Sequence, residues 1–374
     1  MINIWKEVKA LEMKREVIES ARTKNRAKAK ELSKLKVASD SAEVRSHREE
    51  GKQLRADLKE VTSAINSCHD KLYPLALALP NWIHPDVPLG SKNKVLKEHQ
   101  PSKEVEFYKI SRSKNKEKLI STEHSLVHRG SCYLVDEAAN LEQTLLEAGD
   151  EFLTKRGFTQ MSCPDMVKPF ALDALGQGYR DLNEAYFIET REKEMNLTGL
   201  SPLSFYAYYM MSVLETRDLP ERCFAIGRSY NASLESTDFK GLHHHNQSSQ
   251  VQYFCLFENS LQEEAALFCQ FSNHLVDFYT QLGVPFRVVD TASENLLPSV
   301  YRRRAIEVWL ASINEYREVA FLSSCSDFVS RRLMMKYPQD PKKAAVESRD
   351  RNFAYSLHGT VLNCNVLMDH LIHS

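Results

Sequence analysis

The first 73 residues contain no proline and a single glycine, Gly51, which favours long helices throughout this segment. In its second half, apolar residues recur at alternating steps of four and three: Leu54, Leu58, Val61, Ile65, Cys68 and Leu72. This spacing is typical of a helix that packs against one partner helix. The pattern breaks at residues 37–41, with Asp40 as the predicted cap of the returning helix and Pro74 as its predicted end. We therefore predict an antiparallel helical hairpin, a coiled-coil arm with helices of about 30 residues each.

The arm is basic, although the complete chain has a net charge of only −1. Residues 1–72 hold 17 Lys or Arg against 12 Asp or Glu, so the rest of the chain is acidic. Seven cations lie within residues 22–36, with Glu31 as the one acid among them: Arg22, Lys24, Arg26, Lys28, Lys30, Lys34 and Lys36. Because like charges on a helix repel each other, this cluster predicts binding to the phosphates of an RNA. The alternative is a solvated helix face without a ligand.

A linker with several prolines, residues 79–88, follows the arm and marks a predicted boundary. We predict two domains, an arm with its linker over residues 1–88 and a globular domain over residues 89–374. In the second domain, short apolar runs rich in β-branched and aromatic residues follow one another and are backed by helical stretches at 201–217 and 260–282.

This order predicts the α+β class, with an antiparallel sheet and packed helices. Neither a G-x-G-x-x-G sequence nor a P-loop is present, so the two common phosphate-binding loops are missing. No run of residues is apolar enough to predict a membrane span, and we expect no membrane partner.

Several short motifs occur in a fixed order along the chain: Leu79-Pro80-Asn81 to Pro88, Gly157-Phe158-Thr159 to Pro164, Arg228, Asp238 to Leu242, Glu307-Val308-Trp309, Tyr316-Arg317-Glu318, Ser326 to Arg332, and Leu357-His358-Gly359. Together with the basic hairpin, they resemble the class II seryl-tRNA synthetases over nearly the whole chain. The resemblance implies a class II synthetase-like antiparallel sheet, an arm that grips the long variable arm of a serine tRNA, and dimerisation through the first motif of the class.

The residues that carry the chemistry of that family are mostly replaced. Its serine-binding Thr-x-Glu aligns with Leu200-Ser201-Pro202, and other catalytic positions hold unrelated residues: Tyr230, His244, Ser248, Gln252, Phe321 and Val366. Only two ATP-site positions keep the family's residue, Arg228 and Glu318. Because adenylate formation depends on charges that neutralise the triphosphate, we predict a pseudoenzyme that neither activates serine nor binds Mg·ATP tightly, and that needs no cofactor.

Within the family, the chain most resembles a degenerate branch, the seryl-tRNA synthetase-like mitochondrial proteins of insects. That resemblance implies location in the mitochondrial matrix, binding of a serine tRNA without aminoacylation, and a heterodimer with the mitochondrial seryl-tRNA synthetase. Self-pairing is the alternative, because the first motif suits both. Two further functions stay open: an interaction or regulatory factor of the matrix, and a divergent enzyme that uses the residual pocket.

Three smaller features have two interpretations each. The run His243-His244-His245 would offer imidazoles to a zinc ion, but no cysteine or carboxylate joins it at ligand spacing, so we expect a polar loop instead. The run Arg302-Arg303-Arg304 either contacts RNA or is a solvated stretch before a strand. Arg228 and Glu318, without a ligand, are expected to pair with each other or with neighbouring residues.

Overall fold

In the computed structural model, the described residues are 1–34, 41–101, 120–121, 132–175, 186–190, 194–230, 242–243, 246–340, 342 and 350–373. The chain forms two compact units, Met1–Leu79 and Pro80–Ser374. No helix in the described ranges is long and apolar enough to cross a membrane.

The first unit is a pair of long helices, α1 (Ile2–Lys34) and α2 (Ala42–Leu77), which confirms the predicted N-terminal helical arm. Ser41 caps α2, because its hydroxyl accepts a hydrogen bond from the Val44 amide at 3.3 Å; the predicted cap, Asp40, lies outside the described residues. The predicted end at Pro74 is wrong, since α2 continues for three residues beyond it. The Pro74 carbonyl accepts from the Ala78 amide, so the last turn closes although proline donates no hydrogen bond.

Apolar residues line the contact between the two helices in the half of the arm nearest its base. Ile18 of α1 packs with Val61 and Ile65 of α2, and all three are buried. Towards the tip the contact becomes polar. His47 is only 9% exposed and its Nε2 donates to the Asn25 carbonyl at 2.7 Å, while Asn25 Nδ2 lies 3.2 Å from His47 Nδ1.

The second unit is built on an eight-stranded sheet. Its strands in chain order are β1 (Lys94–His99), β4 (Thr159–Met161), β8 (Glu221–Tyr230), β9 (Gln247–Phe257), β10 (Phe286–Asp290), β11 (Arg302–Leu310), β12 (Glu315–Ser326) and β15 (Tyr355–Asn363). In space they follow the order β1-β10-β11-β12-β15-β9-β8-β4. Every neighbouring pair is antiparallel except the edge strand β4, which runs parallel to β8. The predicted α+β class with an antiparallel sheet is confirmed.

Smaller strands pair outside this sheet: β2 (Ile120–Ser121) with β3 (Tyr133–Leu134), β5 (Met166–Val167) and β6 (Tyr186–Glu189) with β7 (Glu194–Leu197), and β13 (Lys336–Pro338) with β14 (Arg351–Phe353). The described helices of this unit are α3 (Glu137–Thr154), α4 (Pro169–Ala174), α5 (Pro202–Tyr209), α6 (Leu261–Leu282), α7 (Phe328–Leu333) and α8 (Cys364–His373).

The helices cover both faces of the sheet and form a separate core on each. Helices α3, α6 and α8 pack on one face in the larger core, and α4, α5 and α7 pack on the other in the smaller core. Strand β8 contributes to both, because successive residues point to opposite faces: Phe224 lies in the larger core, while Cys223 and Ala225 lie in the smaller one. Because of this alternation, the side chain of a strand residue reaches only one face of the sheet.

One predicted helix is shorter than expected. The helix over 201–217 begins as predicted, but α5 ends at Tyr209. Met211 adopts the left-handed conformation, with φ of 59°, and its amide donates to the Leu333 carbonyl. The Leu214 amide then donates to the Lys336 carbonyl, so this segment leaves the helix for tertiary hydrogen bonds. In contrast, the helix predicted over 260–282 is present as α6, with Ser260 as its cap and Gly283 after its end.

Candidate functional site

A small cavity of 200 Å³ lies on the smaller-core face of the central strands. Residues from four of these strands reach it: Ser229 of β8, Arg303 of β11, Phe321 and Ser323 of β12, and His358 of β15. Ser201 and Pro202 at the start of α5 line the cavity as well. None of the described residues that line it is an Asp or a Glu. The small cavity therefore offers hydroxyls, an imidazole and a guanidinium, but no counter-charge for an ammonium group.

The guanidinium in the small cavity is neutralised by Glu318. Arg303 donates from Nη2 to Glu318 Oε1 at 2.6 Å, and its guanidinium carbon lies 4.3 Å from the centre of the Phe321 ring. Burial raises the pKa of the Glu318 carboxyl, and the neighbouring Arg303 opposes that rise. Glu318 thus pairs with a neighbour, which is one of the two predicted outcomes, and that neighbour is Arg303.

His358 is neutral at physiological pH. It is 5% exposed, and burial lowers the pKa of its imidazole to about 3, with Arg303 adding to the effect. Its Nδ1 lies 3.4 Å from the Tyr206 hydroxyl, which in turn lies 2.9 Å from Ser356 Oγ. Cys325 Sγ is 3.8 Å from the same ring nitrogen, but burial raises the pKa of that thiol to about 12. The Cys–His contact is therefore a thiol beside a neutral imidazole and not an activated nucleophile.

A row of polar side chains runs along β9. Gln250 Nε2 donates to Ser248 Oγ at 2.8 Å, and Gln252 Nε2 donates to Gln250 Oε1 at 2.8 Å. Gln252, which is 4% exposed, also donates to the Leu200 carbonyl at 3.2 Å. These amides and hydroxyls carry no charge, so the row cannot hold a divalent cation as carboxylates would.

Arg228 lies on the opposite face of the sheet. It pairs directly with Ser249 across β8 and β9, whereas its neighbour Ser229 pairs with Ser248, and residues directly opposite share a face. Its exposed side chain lines a second, large cavity of 300 Å³ together with Glu142 of α3 and Asn365 of α8. No residue within the described ranges is paired with its guanidinium. The two predicted ATP-site positions are therefore not brought together: Arg228 lines the large cavity, while Glu318 is bound to Arg303, which lines the small cavity.

The position aligned with the third catalytic motif is also away from the small cavity. Val366 is 6% exposed and packs in the larger core, near the start of α8. Leu200 is 3% exposed and packs in the smaller core. An apolar residue buried at each of these positions contributes to packing and not to ligand binding.

The run Arg302-Arg303-Arg304 is held in ion pairs, with side chains that are 14%, 21% and 24% exposed. Its residues begin β11 and each pairs with a carboxylate. Arg302 makes two hydrogen bonds, of 2.9 and 2.6 Å, to Glu264, whose carboxylate is 1% exposed. Arg304 makes two more, of 2.7 and 3.1 Å, to Asp290. The interpretation as a solvated stretch before a strand is wrong, because the run begins the strand and its carboxylate partners lie 14 to 38 residues away in the sequence. Contact with RNA stays a prediction.

The histidine run has a structural role as far as it is described. His243 Nδ1 lies 2.7 Å from Asp369 Oδ2, and the fully buried Asp369 also accepts from Ser312 at 2.8 Å. Burial alone would raise the pKa of Asp369, but the hydrogen bonds from His243, His373 and Ser312 lower it more, so this carboxyl stays ionised. His244 and His245 lie outside the described residues, as do Lys36 and residues 238–241. Within the described part of the chain, no group of three His, Cys, Asp or Glu is placed to hold a metal ion.

Sequence reasoning missed Arg303 and His358 as cavity residues. Strand alternation could have found Arg303, since it lies two residues before Ala305, which is buried, and its two neighbours point to the other face. His358 had no such signal, because its neutral state depends on burial in the folded protein and on Arg303, which is distant in sequence.

Comparison with known proteins agrees with the fold. No protein-family model matches the chain. The mitochondrial serine–tRNA ligase of Mus musculus is 28% identical over 375 residues, which cover 96% of this chain and 70% of that protein. The mitochondrial serine–tRNA ligase of Saccharomyces cerevisiae is 24% identical, over 83% of this chain and 70% of that protein.

Among solved structures, the seryl-tRNA synthetase from Pyrococcus horikoshii, complexed with ATP, superposes with a TM-score of 0.82 at 16% identity. The match covers all of this chain and 86% of that one. The cytoplasmic serine–tRNA ligase from Naegleria fowleri, in complex with AMP, gives a TM-score of 0.80 at 17% identity. By its sequence and its fold, the chain is homologous to the seryl-tRNA synthetases.

Proposed function

We propose that this chain is a non-catalytic seryl-tRNA synthetase-like protein that binds tRNA through its arm and acts as a partner subunit of the mitochondrial seryl-tRNA synthetase. The functional division is the predicted one, an arm with its linker over residues 1–88 and a degenerate synthetase domain over residues 89–374. The observation that carries the loss of catalysis is the small cavity, which contains no described carboxylate to bind the ammonium group of serine.

The positions that align with the ATP-binding residues of the family support the same conclusion. Arg228 faces the large cavity, Glu318 is bound to Arg303, and Gln252 is held by a backbone carbonyl and a neighbouring amide. Val366 is buried in the larger core, so no cation is present where the family's γ-phosphate arginine aligns. Each missing donor of this kind typically lowers the rate by 10²–10³-fold, about 2.7–4 kcal/mol, and several are missing together. We infer that Mg·ATP is not tightly bound and that no cofactor is needed.

RNA binding rests on the arm. The side chains of Lys24, Arg26, Lys28 and Lys30 are exposed on α1, and Arg22 is partly exposed. Lys34 lies at the end of α1, and Lys36 completes the predicted set beyond it. Lys and Arg side chains that bind phosphates release the counterions condensed on the RNA, which makes such binding strongly salt-dependent. The names of the relatives, serine–tRNA ligases, make a serine tRNA the ligand to test first.

The partner and the location are inferred from the same relatives. The serine–tRNA ligases of mouse and yeast that match the chain are both named as mitochondrial, which favours the mitochondrial matrix. A degenerate chain that keeps the synthetase fold can pair with an active synthetase or with itself. Native mass spectrometry of the chain, alone and mixed with the mitochondrial seryl-tRNA synthetase, distinguishes a 1:1 heterodimer from a homodimer. A homodimer that binds neither the synthetase nor the tRNA would rule out the partner role.

The catalytic claim is tested by serine-dependent pyrophosphate exchange. We expect exchange at background level with the purified chain, and full exchange from the mitochondrial seryl-tRNA synthetase in the same assay as the positive control. Exchange above background that depends on serine would overturn the proposal.

RNA binding by the arm is tested with the Lys28→Glu/Lys30→Glu variant, which we expect to bind tRNA more weakly than the wild type.

A divergent enzyme is the second candidate, because the small cavity is retained and is lined by His358 and Arg303. Thermal-shift measurements with small metabolites separate this candidate from the first. A ligand at 100 times its dissociation constant stabilises the folded protein by about 2.7 kcal/mol, which is readily seen as a rise in Tm. In a regulatory role through protein contacts alone, the arm would show no salt-dependent binding of tRNA.

A further inference from the structure

Two opposite charges line the large cavity without an ion-pair partner among the described residues. Arg228 reaches the cavity from β8, and Glu142 reaches it from α3. Neither side chain makes a hydrogen bond or an ion pair with the rest of the described chain, and the two do not pair with each other. In contrast, each residue of the run Arg302-Arg303-Arg304 in the same sheet holds a carboxylate. The large cavity therefore separates an unpaired cation from an unpaired carboxylate.

The fold fixes the two charges at separate points of the cavity wall. Arg228 lies directly opposite Ser249 of β9, so its side chain can reach only the larger-core face of the sheet. Glu142 follows Leu141, which is 4% exposed, and therefore lies beside the buried stripe of α3, where it is half-buried. Burial raises the pKa of the Cys132 thiol, which also lines the cavity, to about 11, and the negative charge of Glu142 adds to that rise. The charge of Glu142 therefore acts inside the cavity.

Uncharged polar groups make up much of the remaining wall. Gln247, Ser248 and Ser249 come from the start of β9, and Asn365 comes from the first turn of α8. Asn365 Nδ2 donates to the Leu242 and Gln247 carbonyls at 3.2 and 3.1 Å, which fixes this amide in place. The N-terminal end of a helix carries a partial positive charge, so the start of α8 favours an anionic group in the cavity, as the unpaired arginine does.

These groups indicate the chemical class of the ligand. An arginine side chain donates two parallel hydrogen bonds to a carboxylate, and a glutamate carboxylate accepts from an ammonium group. A ligand with a single charge would leave either Arg228 or Glu142 without a partner, whereas a zwitterion matches both. The volume of 300 Å³ is at the lower end of ligand pockets, about 300–1,000 Å³, which limits the ligand to a small metabolite. The amides and hydroxyls of the wall match a polar, uncharged side chain.

We propose that the large cavity binds a free α-amino acid with a polar, uncharged side chain, whose carboxylate pairs with Arg228 and whose ammonium group pairs with Glu142. The cavity lies on the opposite face of the sheet from Leu200, Ser201 and Pro202, which align with the serine-binding residues of the family. The proposed site is therefore separate from the position of the family's own substrate. It goes beyond the proposed function, because it requires neither RNA binding by the arm nor a partner subunit.

The test is a titration of the full chain with L-glutamine, with the dissociation constant measured by ligand-observed NMR. Two analogues each lack one charge: N-acetyl-L-glutamine has no ammonium group, and L-glutamine amide has no carboxylate. The cavity variants are Arg228→Gln and Glu142→Gln. Their matched controls are Arg217→Gln and Glu147→Gln, which remove the same charges from exposed residues that do not line the described part of the cavity. Thermal unfolding verifies that each variant is folded.

We expect each cavity variant to bind L-glutamine roughly 10-fold or more weakly than the wild type, because each loses a charge-assisted hydrogen bond to the ligand. The control variants are expected to keep the wild-type dissociation constant. Glu142→Gln should not weaken the binding of N-acetyl-L-glutamine, and Arg228→Gln should not weaken that of L-glutamine amide. Each analogue already lacks the group that the substituted residue would bind.

Absence of L-glutamine binding by the wild type would overturn the proposal, as would wild-type affinity in either cavity variant. In the second case, the amino acid binds elsewhere or through one charge alone. Equal weakening in the cavity variants and the control variants would overturn the proposal as well, because the effect would then not depend on the cavity. Each of these results leaves the proposed function intact, since tRNA binding and pyrophosphate exchange test that function separately.

Discussion

The buried pair of Arg302 and Glu264 allows a quantitative test of the charged strand β11. The Glu264→Gln substitution removes the negative charge from a carboxyl group that is 1% exposed and accepts two hydrogen bonds from Arg302. The guanidinium of Arg302, stacked 3.8 Å from the centre of the Phe268 ring, is then left as an uncompensated charge with a 14% exposed side chain. Breaking one partner of such a pair typically costs about 3–5 kcal/mol.

For a domain of this size, each kcal/mol shifts Tm by roughly 2–4 °C, so we expect a decrease of about 6–20 °C. The assay is thermal unfolding, with Glu315→Gln as the matched control. Glu315 pairs with Arg317 at 2.9 Å, but the two side chains are 60% and 50% exposed. Loss of a solvent-exposed pair costs at most about 1 kcal/mol.

Replacing both partners separates the charge from the packing. The double variant Glu264→Leu/Arg302→Met leaves no buried charge, and we expect it to regain most of the stability lost in Glu264→Gln. A Glu264→Gln variant that melts within the range of Glu315→Gln would refute the argument. In that case Arg302 would be free enough to serve as an RNA contact, and Arg302→Gln would reduce the salt dependence of tRNA binding.

Three further predictions concern single residues. Val366→Arg is expected to leave serine-dependent pyrophosphate exchange at background and to lower Tm by burying a charge in the larger core, whereas Val366→Ile should stay close to the wild type. The wild type is expected to lose stability as pH falls from 6.5 towards 3, because the pKa of His358 is lowered to about 3 and only the unfolded state takes up a proton in that range; His358→Gln should flatten the pH dependence of Tm there. Gly359→Ala is expected to be severely destabilising, since its Cβ would overlap the Phe321 carbonyl oxygen, while Gly157→Ala, with open space at its Cβ, should cost only the strain of its positive φ.

Sequence periodicity predicts the fold well where one local pattern is decisive. Proline-free length and alternating apolar steps are sufficient for the arm, and the capped, amphipathic stretch around α6 is predicted almost to the residue. The predicted length of the helix over 201–217 is too great, because the Leu214 amide donates to the Lys336 carbonyl, more than 100 residues away, instead of to a carbonyl of the helix. Local propensity carries no information about such a competing hydrogen bond.

The site is less predictable because its chemistry depends on which face each residue occupies. Arg228 and Glu318 align with positions that act on one ATP in the family, yet strand pairing places Arg228 on the face of the large cavity. A shift of one residue along a strand reverses the face, so the identity of a motif residue does not decide which cavity it reaches. The partner of Glu318, Arg303, belongs to a different strand and is visible in the sequence only as part of a charge run.

The hydrogen bonds between Asn25 and His47 also determine how the two arm helices align. If α2 slipped by one heptad, Asn25 would face Leu54 and His47 would face Leu32, and both polar side chains would be buried without partners. Each such group costs about 1–3 kcal/mol, a penalty that an all-leucine contact would not impose. The hydrogen-bonded pair of Asn25 and His47 therefore selects a single register for the hairpin. This register sets how far each arginine and lysine lies from the base of the arm.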